Sequence, residues 1–170
     1  MGYDLPAAIG ACIANNHEEI ICIAGDGSIM MNIQELQTII TLKLPIKIFI
    51  LNNDGYHSIR LTQSNLFEKR YVGIGRESGD LSFPDYKKIA EAFGFNYAFI
   101  KTTNMLDKLD DILKREGQLI CEVFLDKNQA FEPKTATKKM PDGSLYSPPL
   151  EDMAPFLPRK ELEQNMYYPE

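Results

Sequence analysis

The chain has 170 residues, 44% of them hydrophobic and 25% charged, with a formal net charge of −6. That length suits one α/β domain with a real core, and the acidic balance with no basic run argues against a nucleic-acid or anionic-membrane surface. The apolar runs are too short to span a bilayer, and the N-terminus lacks the basic start of a secretory signal. Cys12, Cys22 and Cys121 all lie in apolar settings, which suits reduced core thiols in a cytoplasmic protein.

In chain order, Leu5 to Asn15 reads as a small-residue helix with Pro6 tolerated in its first turn. Ile20 to Ala24 is a continuous apolar run, the pattern of a strand covered on both faces. Gly25-Asp26-Gly27 follows as a loop. Ile33, Leu36, Ile39 and Ile40 recur at helical spacing, which predicts a helix over Met30 to Lys43. Pro45 punctuates it, and Ile46 to Leu51 is the second strand. A polar connection with one short helical piece runs from His57 to Leu81. Ser82, Pro84 and Asp85 mark the start of a helix that ends at Gly94. Tyr97 to Ile100 is a third strand. Asn104 is read as the cap of a helix over Met105 to Arg115, closed by Gly117, and Gln118 to Leu125 is the fourth strand.

From Lys127 the pattern changes. Pro133, Pro141, Pro148, Pro149, Pro155, Pro158 and Pro169 crowd this stretch, which is expected to be neither sheet nor long helix. Met153, Pro155, Phe156 and Leu157 are candidate anchors for an extended arm over the domain, the alternative being a partly disordered tail. The division expected is residues 1–126 as one domain and 127–170 as a Pro-rich C-terminal arm. The alternation of strand and helix predicts an α/β fold, a parallel sheet with helices on both faces. Ligands of such sheets bind at the carboxyl ends of the strands.

Two polar clusters fall at those ends, Gly25-Asp26-Gly27 and Asn52-Asn53-Asp54-Gly55, with one helix and one strand between them. Asp26 offers a carboxylate, Asn53 an amide oxygen and the glycine backbone a carbonyl. Magnesium takes such hard oxygens and completes an octahedral shell with phosphate and water. Gly27 and Ser28 open the following helix, where unpaired N–H groups and the helix dipole favour an anion. Gly25 and Gly27 let backbone approach phosphates with no Cβ in the way. Either cluster alone is an ordinary turn; together they point to a metal and a diphosphate.

The pair resembles the magnesium- and diphosphate-binding motif of thiamine diphosphate enzymes, Gly-Asp-Gly followed after about two dozen residues by Asn-Asn. MGYDLPAAIGA at the N-terminus is similar to the corresponding segment of acetolactate synthases and related decarboxylases. The tail PDGSLYSPPLEDMAPFLPRKEL resembles that of acetolactate synthase-like proteins encoded with bacterial surface-polysaccharide genes. The resemblance implies thiamine diphosphate and Mg2+ as cofactors. Asp26 and Asn53 would ligate the metal by side chain and Gly55 by its carbonyl. Gly27 and Ser28 would hold the diphosphate through backbone N–H, beside Gly25. Met1 aligns with the bulky apolar residue that braces the cofactor in a bent shape, and Tyr56 and His57 would line the diphosphate end. The parent reaction would decarboxylate a 2-keto acid such as pyruvate and transfer or release the aldehyde unit.

The remaining tempting residues have plainer roles. His57 reads as packing or capping after a turn, His17 as solvated and Glu35 as helix support. Met30 and Met31 read as core, Phe93, Phe95, Tyr97 and Phe99 as a strand and its approach, and Lys138 and Lys139 as a solvated pair. No catalytic residue is expected in this chain, because in the family the activating glutamate sits on a separate pyrimidine-binding domain. Members of the family also carry a further strand and helix before the Met-Gly segment, so a fragment of a longer polypeptide is expected. The alternatives are a β-type subunit of a split 2-keto acid decarboxylase, a catalytically dead remnant, or a non-catalytic nucleotide-binding module. That last option lacks the third glycine of its usual fingerprint. The family's active sites form between domains of two subunits, so the resemblance implies a homodimer or tetramer.

Overall fold

The computed structural model describes residues 1–166. It contains α1 (Asp4–Ala14), β1 (Ile20–Gly25), α2 (Asp26–Ile29), α3 (Glu35–Thr41), β2 (Ile46–Asn52), α4 (His57–Leu66), α5 (Tyr86–Phe93), β3 (Asn96–Ile100), α6 (Leu109–Leu113) and β4 (Leu119–Phe124). Two compact units divide the chain, residues 1–127 and 128–170.

The first unit is built on a sheet of order β1-β2-β4-β3 with every neighbouring pair parallel. The two-residue period of the strands sorts their side chains onto two layers. Ile46, Ile48 and Ile50 of β2 and Ile120 of β4 join Leu5 and Leu36 in one core, together with Ile39, Tyr86 and Ala90. Phe49, Leu119 and Cys121 turn the other way and pack with Ala98, Ile100 and Ile112 of β3 and α6. Helices therefore cover both faces, as the strand–helix alternation predicts, and the three cysteines are buried free thiols. No helix among the described residues is long and apolar enough to cross a membrane.

Strand β1 departs from the sequence expectation. It forms an edge of the sheet, and only Cys22 and Ala24 are in the core. Ile21 and Ile23 on the opposite face are 52% and 66% exposed. An unbroken apolar run is thus covered on one face only among the described residues. Lys47 of β2 is the inverse case, a charge within a buried strand. Its ammonium donates to Glu19 and to the Leu113 carbonyl, which meets the demand that a buried charge be paired.

The helix predicted over 30–43 is divided. Asp26–Ile29 winds as α, Met30–Asn32 as a 3-10 turn, and α resumes at Glu35. At the break, the Asn32 amide donates to the Gly2 carbonyl at 2.5 Å, tying the helix to the N-terminal segment. The helix predicted over 105–115 is likewise a 3-10 stretch, Thr103–Lys108, followed by α6, and Asn104 does not cap it. Met105, Leu109 and Leu113 still pack on the sheet, so the apolar spacing carries through although the hydrogen-bond pattern differs. Helix α5 behaves as expected. Asp85 accepts from the N–H groups of Lys87 and Lys88 at 3.0 and 3.2 Å, and Gly94 closes the helix in the left-handed region at φ +83°.

The second unit is less irregular than its prolines suggest. A short antiparallel hairpin pairs β5 (Lys138–Lys139) with β6 (Leu145–Tyr146), turning at Gly143 with φ +85°. A short helix, α7, spans Arg159–Asn165. Prolines flank both elements, which satisfies the backbone-donor constraint without excluding secondary structure. Asp152 is buried and accepts two bonds from Arg159, at 2.6 and 2.9 Å. Pro169 lies outside the described residues.

Asp85→Ala removes the cap of α5 and should cost about 1 kcal/mol of stability, measured as a lower urea midpoint with unchanged slope.

Candidate functional site

Parallel pairing puts Gly25 opposite Leu51, so the loops that leave β1 and β2 emerge side by side at the carboxyl edge of the sheet. Asp26 joins them. Its Oδ2 accepts from the Gly55 N–H at 2.8 Å and its Oδ1 from the Gly27 N–H at 2.8 Å. The side chain is 2% exposed. Burial pushes its pKa up to about 6, opposed by those two N–H groups; nearby Asp54 raises it further and Arg60 lowers it.

The second loop is held at nearly every backbone group. Asn52 Oδ1 accepts from Asp54 N–H at 3.0 Å. Arg60 donates to the carbonyls of Asn53 and Asp54 at 3.1 and 2.8 Å. Tyr56 N–H donates to the Ile74 carbonyl at 2.8 Å. Gly55 has φ +127°, and a Cβ there would lie 1.9 Å from the Ile74 oxygen, so no other residue fits. Two oxygen-bearing groups remain. Among the described residues, the Asn53 side-chain amide and the Gly55 carbonyl take part in no hydrogen bond. These, with Asp26, are the three groups that the sequence singles out for a metal.

One carboxylate, one amide and one carbonyl form a hard but incomplete ligand set. Among the described residues, no group of three or more His, Cys, Asp or Glu side chains is placed to hold a metal. The donor chemistry therefore fits a cation that takes its remaining oxygens from a ligand.

The edge facing the other loop is mixed. A Cβ on Gly25 would meet nothing nearer than Ser28 Cβ at 3.9 Å, so the space in front of it is open. The Ser28 N–H has no acceptor among the described residues. Gly27 is different, because its N–H is taken by Asp26. A Cβ on Gly27 would lie 2.4 Å from the Tyr56 ring, so this glycine is required by an aromatic neighbour. Tyr56 donates its OH to the Gly27 carbonyl at 3.2 Å and meets Phe83 edge to face at 5.6 Å. The Ser28 hydroxyl donates to Asp4 at 2.6 Å and accepts from Gly2 N–H at 2.9 Å. That anchors Met1, itself 73% exposed, beside the loop.

Several supporting residues escape the sequence reading. Tyr86, fully buried, donates its OH to the Asp26 carbonyl at 2.5 Å, and burial raises its pKa. Arg60 and Glu122 are buried charges beside the second loop. A signal existed for Glu122, since a carboxylate inside the apolar run of β4 demands a partner. His57 is buried, with Nδ1 3.4 Å from Arg60, in keeping with a packing role. Glu35 accepts from Thr38 at 2.8 Å within its own helix.

Comparison with known proteins agrees with this geometry. Residues 1–123 match the family described as thiamine pyrophosphate enzyme, C-terminal TPP binding domain. The chain is 39% identical over 140 residues to the acetolactate synthase large subunit of Porphyra purpurea, covering 82% of this chain and 23% of that protein. It is 34% identical over 155 residues to the acetolactate synthase isozyme 2 large subunit of Escherichia coli, covering 91% of this chain and 27% of the relative. It is 37% identical over 137 residues to the mitochondrial acetolactate synthase catalytic subunit of Saccharomyces cerevisiae, covering 80% and 19%. The chain thus spans about a quarter of the length of these curated relatives. With the Gly-Asp-Gly and Asn-Asn loops meeting at one sheet edge, the chain belongs to the thiamine pyrophosphate enzymes, as their C-terminal TPP-binding domain.

Proposed function

We propose that this chain binds thiamine diphosphate and Mg2+ as the diphosphate-binding half of an acetolactate synthase-like enzyme. The observation that carries this is the placement of Asp26, the Asn53 amide and the Gly55 carbonyl at two adjoining strand ends, the last two without hydrogen-bond partners among the described residues. Asp26, Asn53 and Gly55 would hold the metal. The open space at Gly25 and the Ser28 N–H would receive the diphosphate, while Tyr56 walls the loop over Gly27. Met1 would brace the cofactor from the rim.

The chemistry supplied by the bound cofactor is an electron sink for loss of carbon dioxide from a 2-keto acid such as pyruvate, with transfer or release of the aldehyde unit. This chain's part is to bind, orient and neutralise charge. The activating carboxylate would come from a pyrimidine-binding domain, in the rest of a parent chain or in a separate subunit, within a homodimer or tetramer. The buried thiols Cys12, Cys22 and Cys121 suit a reducing compartment such as the cytoplasm.

Calorimetric titration with thiamine diphosphate should show magnesium-dependent heat that Asp26→Ala abolishes. Binding that ignores magnesium, or that survives the substitution, would remove Asp26 from the metal site. Supplied with pyruvate, magnesium and thiamine diphosphate, the isolated chain should release no carbon dioxide; sustained release would place the activating group within these residues.

A pH series on the metal-free chain tests the burial of Asp26. Its folded pKa of about 6 lies above the ordinary 3.8, so the folded state holds the proton more tightly than the unfolded state. The associated stability is fully present below pH 3.8 and is lost as pH rises through 6. The stability difference between Asp26→Asn and wild type should therefore shift in favour of the variant from pH 4 to 7, by up to about 3 kcal/mol. A difference that stays flat with pH would contradict it.

A further inference from the structure

Two buried charged side chains beside the second loop touch none of the three proposed metal ligands by their ligating atoms. Arg60, 4% exposed, extends from α4, and Glu122, 6% exposed, from the middle of β4. Burying such groups is costly unless they are well used, and their partners show the use.

Arg60 takes the carbonyls of Asn53 and Asp54, one with each terminal nitrogen, and its Nε lies 3.6 Å from the Glu77 carboxylate. Glu122 accepts from the Asn52 side-chain amide at 2.6 Å and from the Tyr97 hydroxyl at 2.5 Å. An amide has a donor end and an acceptor end. Because Glu122 receives the NH2 of Asn52, the Asn52 oxygen must face the loop, where it accepts from Asp54 N–H at 3.0 Å. A flipped Asn52 would set oxygen against carboxylate and NH2 against N–H.

The peptide units can then be followed one at a time. In the 53–54 peptide, the carbonyl is held by Arg60 and the N–H by Asn52. In the 54–55 peptide, the carbonyl is held by Arg60 and the N–H by Asp26. Two consecutive planes are therefore fixed at both ends. The 55–56 peptide is fixed at its N–H by Ile74, and its carbonyl, that of Gly55, is left over. We infer that Arg60 and the Glu122–Asn52 pair are positioning residues that set these peptide planes from opposite sides, so that the Gly55 carbonyl and the Asn53 amide are presented to a divalent cation. This rests on the proposed metal role of Asp26, Asn53 and Gly55. Outer groups that orient metal ligands typically change affinity by about 10–100-fold when removed.

The test uses Mn2+ as the probe, its free concentration read by electron paramagnetic resonance, with the chain in saturating thiamine diphosphate. Asp26→Ala should abolish Mn2+ binding. Asn52→Ala and Arg60→Met should each raise the Mn2+ Kd about tenfold or more. Glu122→Leu leaves the Asn52 amide without its acceptor and should likewise raise the Kd about tenfold or more. Thermal unfolding is followed in parallel, because a purely structural role would lower the Tm and leave the Kd in place. If Arg60→Met does not fold, Arg60→Lys replaces it, since lysine keeps the charge but lacks the fork that spans two carbonyls. Folded Asn52→Ala and arginine variants with wild-type Mn2+ affinity, alongside an Asp26→Ala that has lost it, overturn the positioning role alone. Mn2+ binding that survives Asp26→Ala, or no binding by wild type, overturns the metal assignment and the positioning role together.

Discussion

The site depends on one hydrogen bond, from Gly55 N–H to the carboxylate of Asp26. It crosses from the loop after β1 to the loop after β2, and it exists because those strands are parallel neighbours with Gly25 opposite Leu51. A crossover through α2 and α3 brings the chain back to the same sheet edge. Residues far apart in sequence thereby converge on one point. The strength of the bond follows from burial, since a carboxylate shielded from water accepts strongly from an N–H. The same burial raises the Asp26 pKa to about 6, so ionised Asp26 is held at a cost that a bound cation would offset.

That cost explains the density of support around the loops. Gly55 lets the backbone approach the Ile74 carbonyl, from which a Cβ would lie at 1.9 Å, and Gly75 does the same against the Asp54 carbonyl, where a Cβ would lie at 2.2 Å. The two glycines lock the loops 54–56 and 74–75 together. Tyr86 fixes the Asp26 carbonyl, and Arg60 fixes the next loop's carbonyls. If these loops take the proposed metal, they would need little rearrangement to do so, which is the physical content of preorganisation.

Much of this was legible in the sequence. The strands β1 to β4, their parallel order with crossover helices, and the α5 boundaries at Asp85 and Gly94 follow from apolar runs and cap chemistry. The meeting of the two polar clusters followed from topology. What failed to show was local winding and long-range pairing. The continuous helical pattern is split near Asn32, which bonds to Gly2, a contact that no periodicity encodes. Ile21 and Ile23 read as buried because an edge strand and a central one share the same composition. Gly27 looked like a phosphate cradle, yet its missing side chain is required by Tyr56. Arg60, Tyr86 and Glu122 act through tertiary partners, and only Glu122 announced itself, as a charge in an apolar strand.

The incompleteness of the ligand set has a thermodynamic consequence. Three protein oxygens cannot fill an octahedral shell, and magnesium gives up its water reluctantly. On the proposed reading, the affinity of the chain for the cation would depend on what else supplies oxygen, and a diphosphate at the open face of Gly25 would do so. By linkage, whatever the diphosphate adds to metal affinity the metal adds to diphosphate affinity. A domain with a complete carboxylate cage would bind the cation alone and lose that coupling. As proposed ligands, Asp26 with one amide and one carbonyl would instead make each ligand the condition for the other. On the proposed reading, the cofactor is retained as a metal–diphosphate unit, and the chain contributes the geometry that joins the two.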